Sequence, residues 1–173
     1  PQEILLFNLE PIIRNAVRAF IIRDNRILLI RKLYEDGSQK FALPGGGQDT
    51  GETLAAALIR ECKEEIGADI SNISLLHVAD WFKPRDSVPP STRQHVEFLF
   101  ACEVDDSYTP QNGIHPDKHQ VEVIWVKLDA LHNMSCHPNS MLALLSELQN
   151  KKSAILNSSH KCITGYCFFI NIG

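Results

Sequence analysis

The sequence predicts an α/β (α+β) domain, an α/β/α sandwich with a curved mixed sheet between helices, and three observations carry that expectation. Strand-like segments stand before and after one strongly helical stretch, Thr53 to Ile66; a second amphipathic helix, Asn139 to Gln149, follows near the end; and 44% hydrophobic content over 173 residues is enough for one sizeable core. Residues 1–156 read as that domain and 157–173 as a tail with no assigned role.

Taken in order, the apolar run Ile12 to Ile22 contains Arg14 and Arg18, and Asp24-Asn25 separates it from Arg26 to Arg31, which suggests a hairpin. Arg14, Arg18 and Arg31 could each meet a phosphate or serve as ordinary sheet cations. Leu33 to Lys40 reads as a loop, and Phe41 to Leu43 as a short strand ending at Pro44. Gly45, Gly46 and Gly47 free the backbone to approach a ligand, so that a carbonyl there could reach a metal. Ile73 to Phe82 reads as a strand ending in the aromatic pair Trp81-Phe82, and the proline-bearing stretch Lys83 to Arg93 as a long loop, a candidate lid. In the strand His95 to Val104, Val96, Phe98, Phe100 and Cys102 form the expected core face, with Glu97 on the mixed face as a sheet-edge carboxylate or a group aimed at a site. Asp105 to Lys118 is a polar loop in which His115 reads as a surface residue, as does His119 just beyond it. Gln120 to Leu128 is a further strand carrying Glu122 and Trp125. Asp129 could cap a short turn, and Met141, Leu142, Leu145 and Leu148 line the last helix. The apolar run Ile163 to Ile172 offers an added edge strand or a homodimer contact.

Composition excludes some classes of function. A net charge of −4 gives no basic surface for a nucleic-acid duplex. Cys62, Cys102, Cys136, Cys162 and Cys167 are odd in number and lack C-x-x-C spacing, against a disulfide framework or a zinc site. No apolar run is long enough to span a bilayer, and the first ten residues lack the basic region of a signal peptide. The expectation is a soluble protein of a reducing compartment, the cytoplasm.

Chemistry concentrates between Gly46 and Ala68. Good helix formers run from Thr53 to Ile66 and Gly67 suits a C-cap. Ala55, Ile59, Cys62 and Ile66 fall on one stripe, expected to pack on the sheet. Glu61, Glu64 and Glu65 share another edge, where like charges about 5 Å apart repel by about 3 kcal/mol per pair at an effective dielectric near 20. Arg60 can pair with Glu64, but one guanidinium does not neutralise three carboxylates. A hard divalent cation, Mg²⁺ or Mn²⁺, takes oxygen ligands of this kind.

Gly46, Glu52, Arg60, Glu61, Glu64, Glu65 and Gly67 match every fixed polar and glycine position of the Nudix hydrolase signature, G-x5-E-x7-R-E-U-x-E-E-x-G-U, where U is a bulky aliphatic residue. At roughly 7% usage per residue type, seven matches arise by chance in about one window in 10⁸. Cys62 and Ala68 depart from the usual larger aliphatic residues but remain buriable. The resemblance implies the Nudix fold and attack of water on a phosphorus of a diphosphate linkage in a small nucleotide. It implies metal on Glu61, Glu64, Glu65 and the Gly45 carbonyl, with Arg60 orienting the carboxylates and Glu52 ordering the loop or standing in the metal's shell. Glu64 is the favoured general base, with Glu61, Glu97 and Glu122 left open. Pro84, sixteen residues after Ala68, resembles a proline associated with ADP-ribose hydrolysis in the family. With Trp81, Phe82, Arg18 and Arg31 it forms the expected substrate contacts. The alternatives are a (d)NTP pyrophosphohydrolase and a non-catalytic nucleotide-binding module. Many Nudix proteins are homodimers, which makes a homodimer the expected assembly.

Overall fold

The computed structural model describes residues 8–138 and 140–147. Cys162, Cys167 and the apolar run from Ile163, with its edge-strand and dimer expectations, lie outside them.

Two sheets form the centre. One orders β1 (Arg14–Phe20), β6 (Ser91–Val104) and β5 (Ile70–Arg85), with β1 parallel and β5 antiparallel to β6. In the other, β3 (Arg26–Leu33) pairs with β2 (Ile22–Arg23), β4 (Gln39–Ala42) and β7 (Gln120–Lys127), and β4 continues to β8 (Cys136–His137). Asp24 and Asn25, both at positive φ, make the predicted turn. The hairpin it closes is the short β2–β3 pair, however, because β1 leaves to lie beside β6.

Helix α1 (Leu54–Ile66) covers one face and α2 (140–147) the other. Alternation along the strands divides the core accordingly. Val17, Ala19, Leu28, Ile30 and Val123 meet Ala57, Leu58, Cys62 and Ile66, while Phe20, Ile27, Leu29, Leu99 and Val126 meet Met141, Leu144 and Leu145. The helix stripe differs from the expected one, since Ile59 is 46% exposed and Ala55 is exposed. The rows Leu54-Leu58-Cys62-Ile66 and Ala57-Glu61-Glu65 face inward instead, because two leucines bury more apolar area than Ala55 and Ile59 would. The carboxylates therefore lie along the buried margin of α1.

The stretch from Lys83 to Arg93 is not a long loop. β5 and β6 stay paired through Lys83↔Arg93, Pro84↔Thr92 and Arg85↔Ser91, leaving only residues 86–90 as the tip. Glu10 holds the arm by pairing with Arg93, Ser91 (2.8 Å) and Arg85 (3.8 Å), and its amide donates to the Thr92 carbonyl at 2.9 Å.

The segment after β6 closes the end of α1. The Gly113 and His115 amides donate to the Glu65 and Glu64 carbonyls, both at 2.9 Å, and Tyr108 Oη donates to the Ile66 carbonyl at 2.8 Å. These are the carbonyls a helix terminus leaves without partners. A Cβ on Gly113 would stand 2.2 Å from the Glu64 oxygen. Gly113→Ala should therefore cost about 1–3 kcal/mol and lower Tm by roughly 3–10 °C. A thermal melt unchanged from wild type would contradict this packing.

Candidate active site

The site begins where the chain leaves β4. Residues 44–48 run antiparallel along the free edge of β1: Ala19 N–H donates to Pro44 O (2.8 Å), Val17 N–H to Gly46 O (2.9 Å) and Gln48 N–H to Asn15 O (3.1 Å). Gly45 has φ +130° and a Cβ on it would lie 2.1 Å from the Val17 oxygen, while a Cβ on Gly46 would lie 2.5 Å from Glu61 Oε2. Only glycine lets the backbone pass between β1 and the carboxylates of α1. Thr53 Oγ1 caps the helix by accepting from Ala56 N–H at 3.1 Å, and Gly67 closes it in the left-handed conformation.

Arg60 gathers the loop and the helix. Its Nε donates to Glu52 Oε1 at 2.7 Å, its Nη2 to the Gly47 carbonyl at 2.9 Å and to Glu52 Oε2 at 3.1 Å, and its Nη1 to Glu61 Oε1 at 2.8 Å. Glu64 Oε2 stands 3.5 Å from the same nitrogen. Asp49 N–H also donates to Glu52 at 3.0 Å, which makes Glu52 an anchor of the loop. These bonds hold Glu52 below the usual carboxylate range and raise Arg60 further into its charged form.

Burial acts the other way on Glu65 and Glu61. Glu65 is 4% exposed and accepts from Gly45 N–H at 2.7 Å; burial pushes its carboxyl up to about 8, with the charge of Asp117 adding to the effect. Burial likewise raises Glu61, against the pull of Arg60. Glu61 Oε2 and Glu65 Oε1 accept no hydrogen bond among the described residues.

Across the glycine loop, Arg18 donates through Nη1 to the Gly45 carbonyl and through Nε to Glu97 Oε1 at 3.2 Å. Glu97 is 1% exposed and sits between β1 and β5, which overturns its reading as a sheet-edge group. Burial opposes its charge, but the His137 hydrogen bond (3.2 Å) and Arg18 outweigh burial and hold it below the usual range. Trp81 stacks on His95 with ring centroids 4.9 Å apart and meets His137 edge-on at 5.2 Å. Strand alternation places Trp81 opposite His95 on the Glu97 face, and Phe82 and Pro84 on the other. Arg31 and Glu122 form a cross-strand pair at 2.6 Å, with Glu122 47% exposed, and among the described residues neither bonds to the helix carboxylates. Asp117, close enough to act on Glu65 and paired with Lys32, escaped the sequence reading because only the fold brings its loop to α1.

The donor set is all oxygen and suits a hard divalent ion, and Glu65, raised by burial, is paired with no cationic side chain among the described residues. Among the described residues no three acidic, His or Cys groups form a ready-made cage. Arg60 and the Gly45 amide each draw one carboxylate aside. A groove of about 590 Å³ flanks the loop, lined by Ile12, Arg14, Asn15, Gln48, Glu52 and Arg93.

The folded chain keeps a proton on Glu65 between about pH 4.5 and 8, where the unfolded chain has lost it. That contribution is fully present below the unfolded value and disappears as pH rises toward 8, on the order of a few kcal/mol. In EDTA, urea unfolding should give stability that falls with pH across this window, with the fall much reduced in Glu65→Gln and the remainder due to Glu61. An identical slope in both proteins would contradict the assignment.

Comparison with known proteins agrees with this architecture. A family model described as the NUDIX domain matches residues 13–146. The chain is 46% identical over 63 residues to the ADP-ribose pyrophosphatase of Methanocaldococcus jannaschii, covering 36% of this chain and 37% of that protein. It is 34% identical over 90 residues to YjhB of Bacillus subtilis (strain 168), covering 52% and 41%. The chain thus spans about two fifths of the length of these curated relatives. Its fold superimposes on a NUDIX hydrolase from Nitrosomonas europaea with TM-score 0.63 at 21% identity, covering 80% of this chain and 90% of that one. The corresponding values for the mutator MutT protein of Bacillus halodurans are 0.58, 16%, 76% and 79%. With the family model matching more than half of the 173 residues, the chain belongs to the Nudix family.

Proposed function

We propose that this protein hydrolyses the diphosphate linkage of a nucleoside diphosphate joined to another moiety, with ADP-ribose or a similar nucleotide sugar favoured, using Mg²⁺ or Mn²⁺. The observation that carries the reading is the oxygen-only set of Glu61, Glu64, Glu65 and the Gly45 carbonyl, gathered along the buried margin of α1 beside the glycine loop. The cytoplasm is the proposed location, in keeping with the buried free thiols of Cys62, Cys102 and Cys136.

Those four groups would hold the cation, which when bound neutralises the diphosphate and lowers the pKa of water. Arg60 keeps Glu61 and Glu64 turned toward the loop while tying them to Glu52. Glu64 is the proposed general base, since it is the least buried of the three and its contact with Arg60 is longer than that of Glu61. Glu97 is occupied by Arg18 and His137, and Glu122 by Arg31, which leaves both less suited to proton abstraction. Trp81 would offer a ring to the base of the nucleotide.

Glu64→Gln and Glu65→Gln should each lower kcat by about 10²–10⁴, with thermal stability unchanged or raised, in Glu64→Gln because a charge beside Glu61 is removed and in Glu65→Gln because an amide stands where a carboxyl is kept neutral by burial. Full activity in EDTA would refute the reading. Steady-state kinetics on ADP-ribose and dGTP decides the substrate class: a kcat/KM for dGTP about ten times that for ADP-ribose, roughly 1.4 kcal/mol, would replace it with the triphosphate reading.

A further inference from the structure

We propose that Arg18 is a resident cation of this site, held on the Gly45 carbonyl until a divalent ion takes that oxygen, and then received by the second oxygen of Glu97. The inference rests on the cation-binding reading above. Two independent features of the geometry carry it.

Arg18 divides its guanidinium between two acceptors. Nη1 donates to the Gly45 carbonyl, an oxygen of the proposed cation site, and Nε reaches Glu97 Oε1 at 3.2 Å. A divalent ion on the same carbonyl would face a unit positive charge at close range, so the two cations compete for it. Glu97 is 1% exposed, and its Oε2 is fully enclosed without a hydrogen-bond partner among the described residues. An ionised oxygen left in that condition is unfavourable, and such groups are normally satisfied. A guanidinium already bound to Oε1 through Nε can turn to meet both oxygens as a fork, which is the stronger pairing for arginine and a carboxylate. Once Nη1 leaves Gly45 the guanidinium is free to turn, and the enclosed oxygen is the berth for its Nη2, beside the Nε already on Oε1. His137 keeps Glu97 in place for the exchange by bonding to Oε1 at 3.2 Å. Arg18 and Glu97 are positioning residues in this scheme: they set the cation affinity of the site without touching the reacting phosphorus.

The test is Mn²⁺ binding to the nucleotide-free protein by calorimetry, with circular dichroism to establish folding. Arg18→Met should tighten Mn²⁺ binding about tenfold, and Glu97→Gln should weaken it by a similar factor, the lower end of what partners of metal ligands usually contribute. A general field of the two charges would give the same signs, so the double variant decides. With the competitor gone, its berth no longer matters, and Arg18→Met with Glu97→Gln should bind as tightly as Arg18→Met alone. Return of the double variant to wild-type affinity, or failure of Arg18→Met to bind more tightly, would overturn the proposal. Should Arg18→Met alone not fold, the double variant carries the same decision against wild type. A wild-type chain that takes up no Mn²⁺ brings down the parent reading as well. One that binds Mn²⁺ and hydrolyses a diphosphate, while the double variant matches it in affinity, brings down only this inference.

Discussion

Three carboxylates on one turn of a packed helix dictate how the chain around them is arranged. Glu65 is buried on the same row as Ala57, so α1 cannot settle on its sheet without bringing acids into the interior. Neighbouring features read as responses to that burden. Arg60 ties Glu61 to Glu52, the Gly45 amide meets Glu65, and the chain at Gly45 and Gly46 passes so close that a single Cβ would collide with β1 or with Glu61. The loop around Gly113 holds the other end of the helix by its last carbonyls. Stability is given up locally to place carboxylates where the proposed cation would be held.

The same arrangement explains why β1 matters more than its length suggests. One edge of it pairs with β6, which delivers Glu97; the other edge binds residues 44–48, which deliver the Gly45 carbonyl. Arg18, in the middle of β1, reaches both. A strand shared in this way couples the first sheet to the helix carboxylates through short, geometrically defined contacts. Trp81, His95 and His137 surround Glu97 on the far side, so the charged centre and the aromatic residues form one continuous cluster.

Much of this was legible in the residues themselves. The helix, its Thr53 and Gly67 caps, the three glutamates and the glycine approach are local in sequence, and periodicity and spacing report local structure well. The inward stripe of α1 was misread by one position because Ile59 is as apolar as Leu58, and only packing decides which of them faces the sheet. The arm from Lys83 to Arg93 looked like a loop because its prolines hide strand pairing that Glu10, more than seventy residues earlier, holds in place. Glu97 was ambiguous between a sheet-edge carboxylate and a group aimed at a site because nothing beside it in the chain announces Arg18 or His137. Asp117 carried no local signal at all. What escaped the sequence is what the fold assembles from distant segments.

On the proposed cation site, a divalent ion bound by Glu65 should displace the proton that burial keeps on its carboxyl. Calorimetric titration with Mn²⁺ near pH 7, repeated in buffers of different ionisation enthalpy, counts the protons released on binding. The wild-type chain should release about one proton and Glu65→Gln much less. Binding with no proton release, or equal release by both proteins, would contradict it.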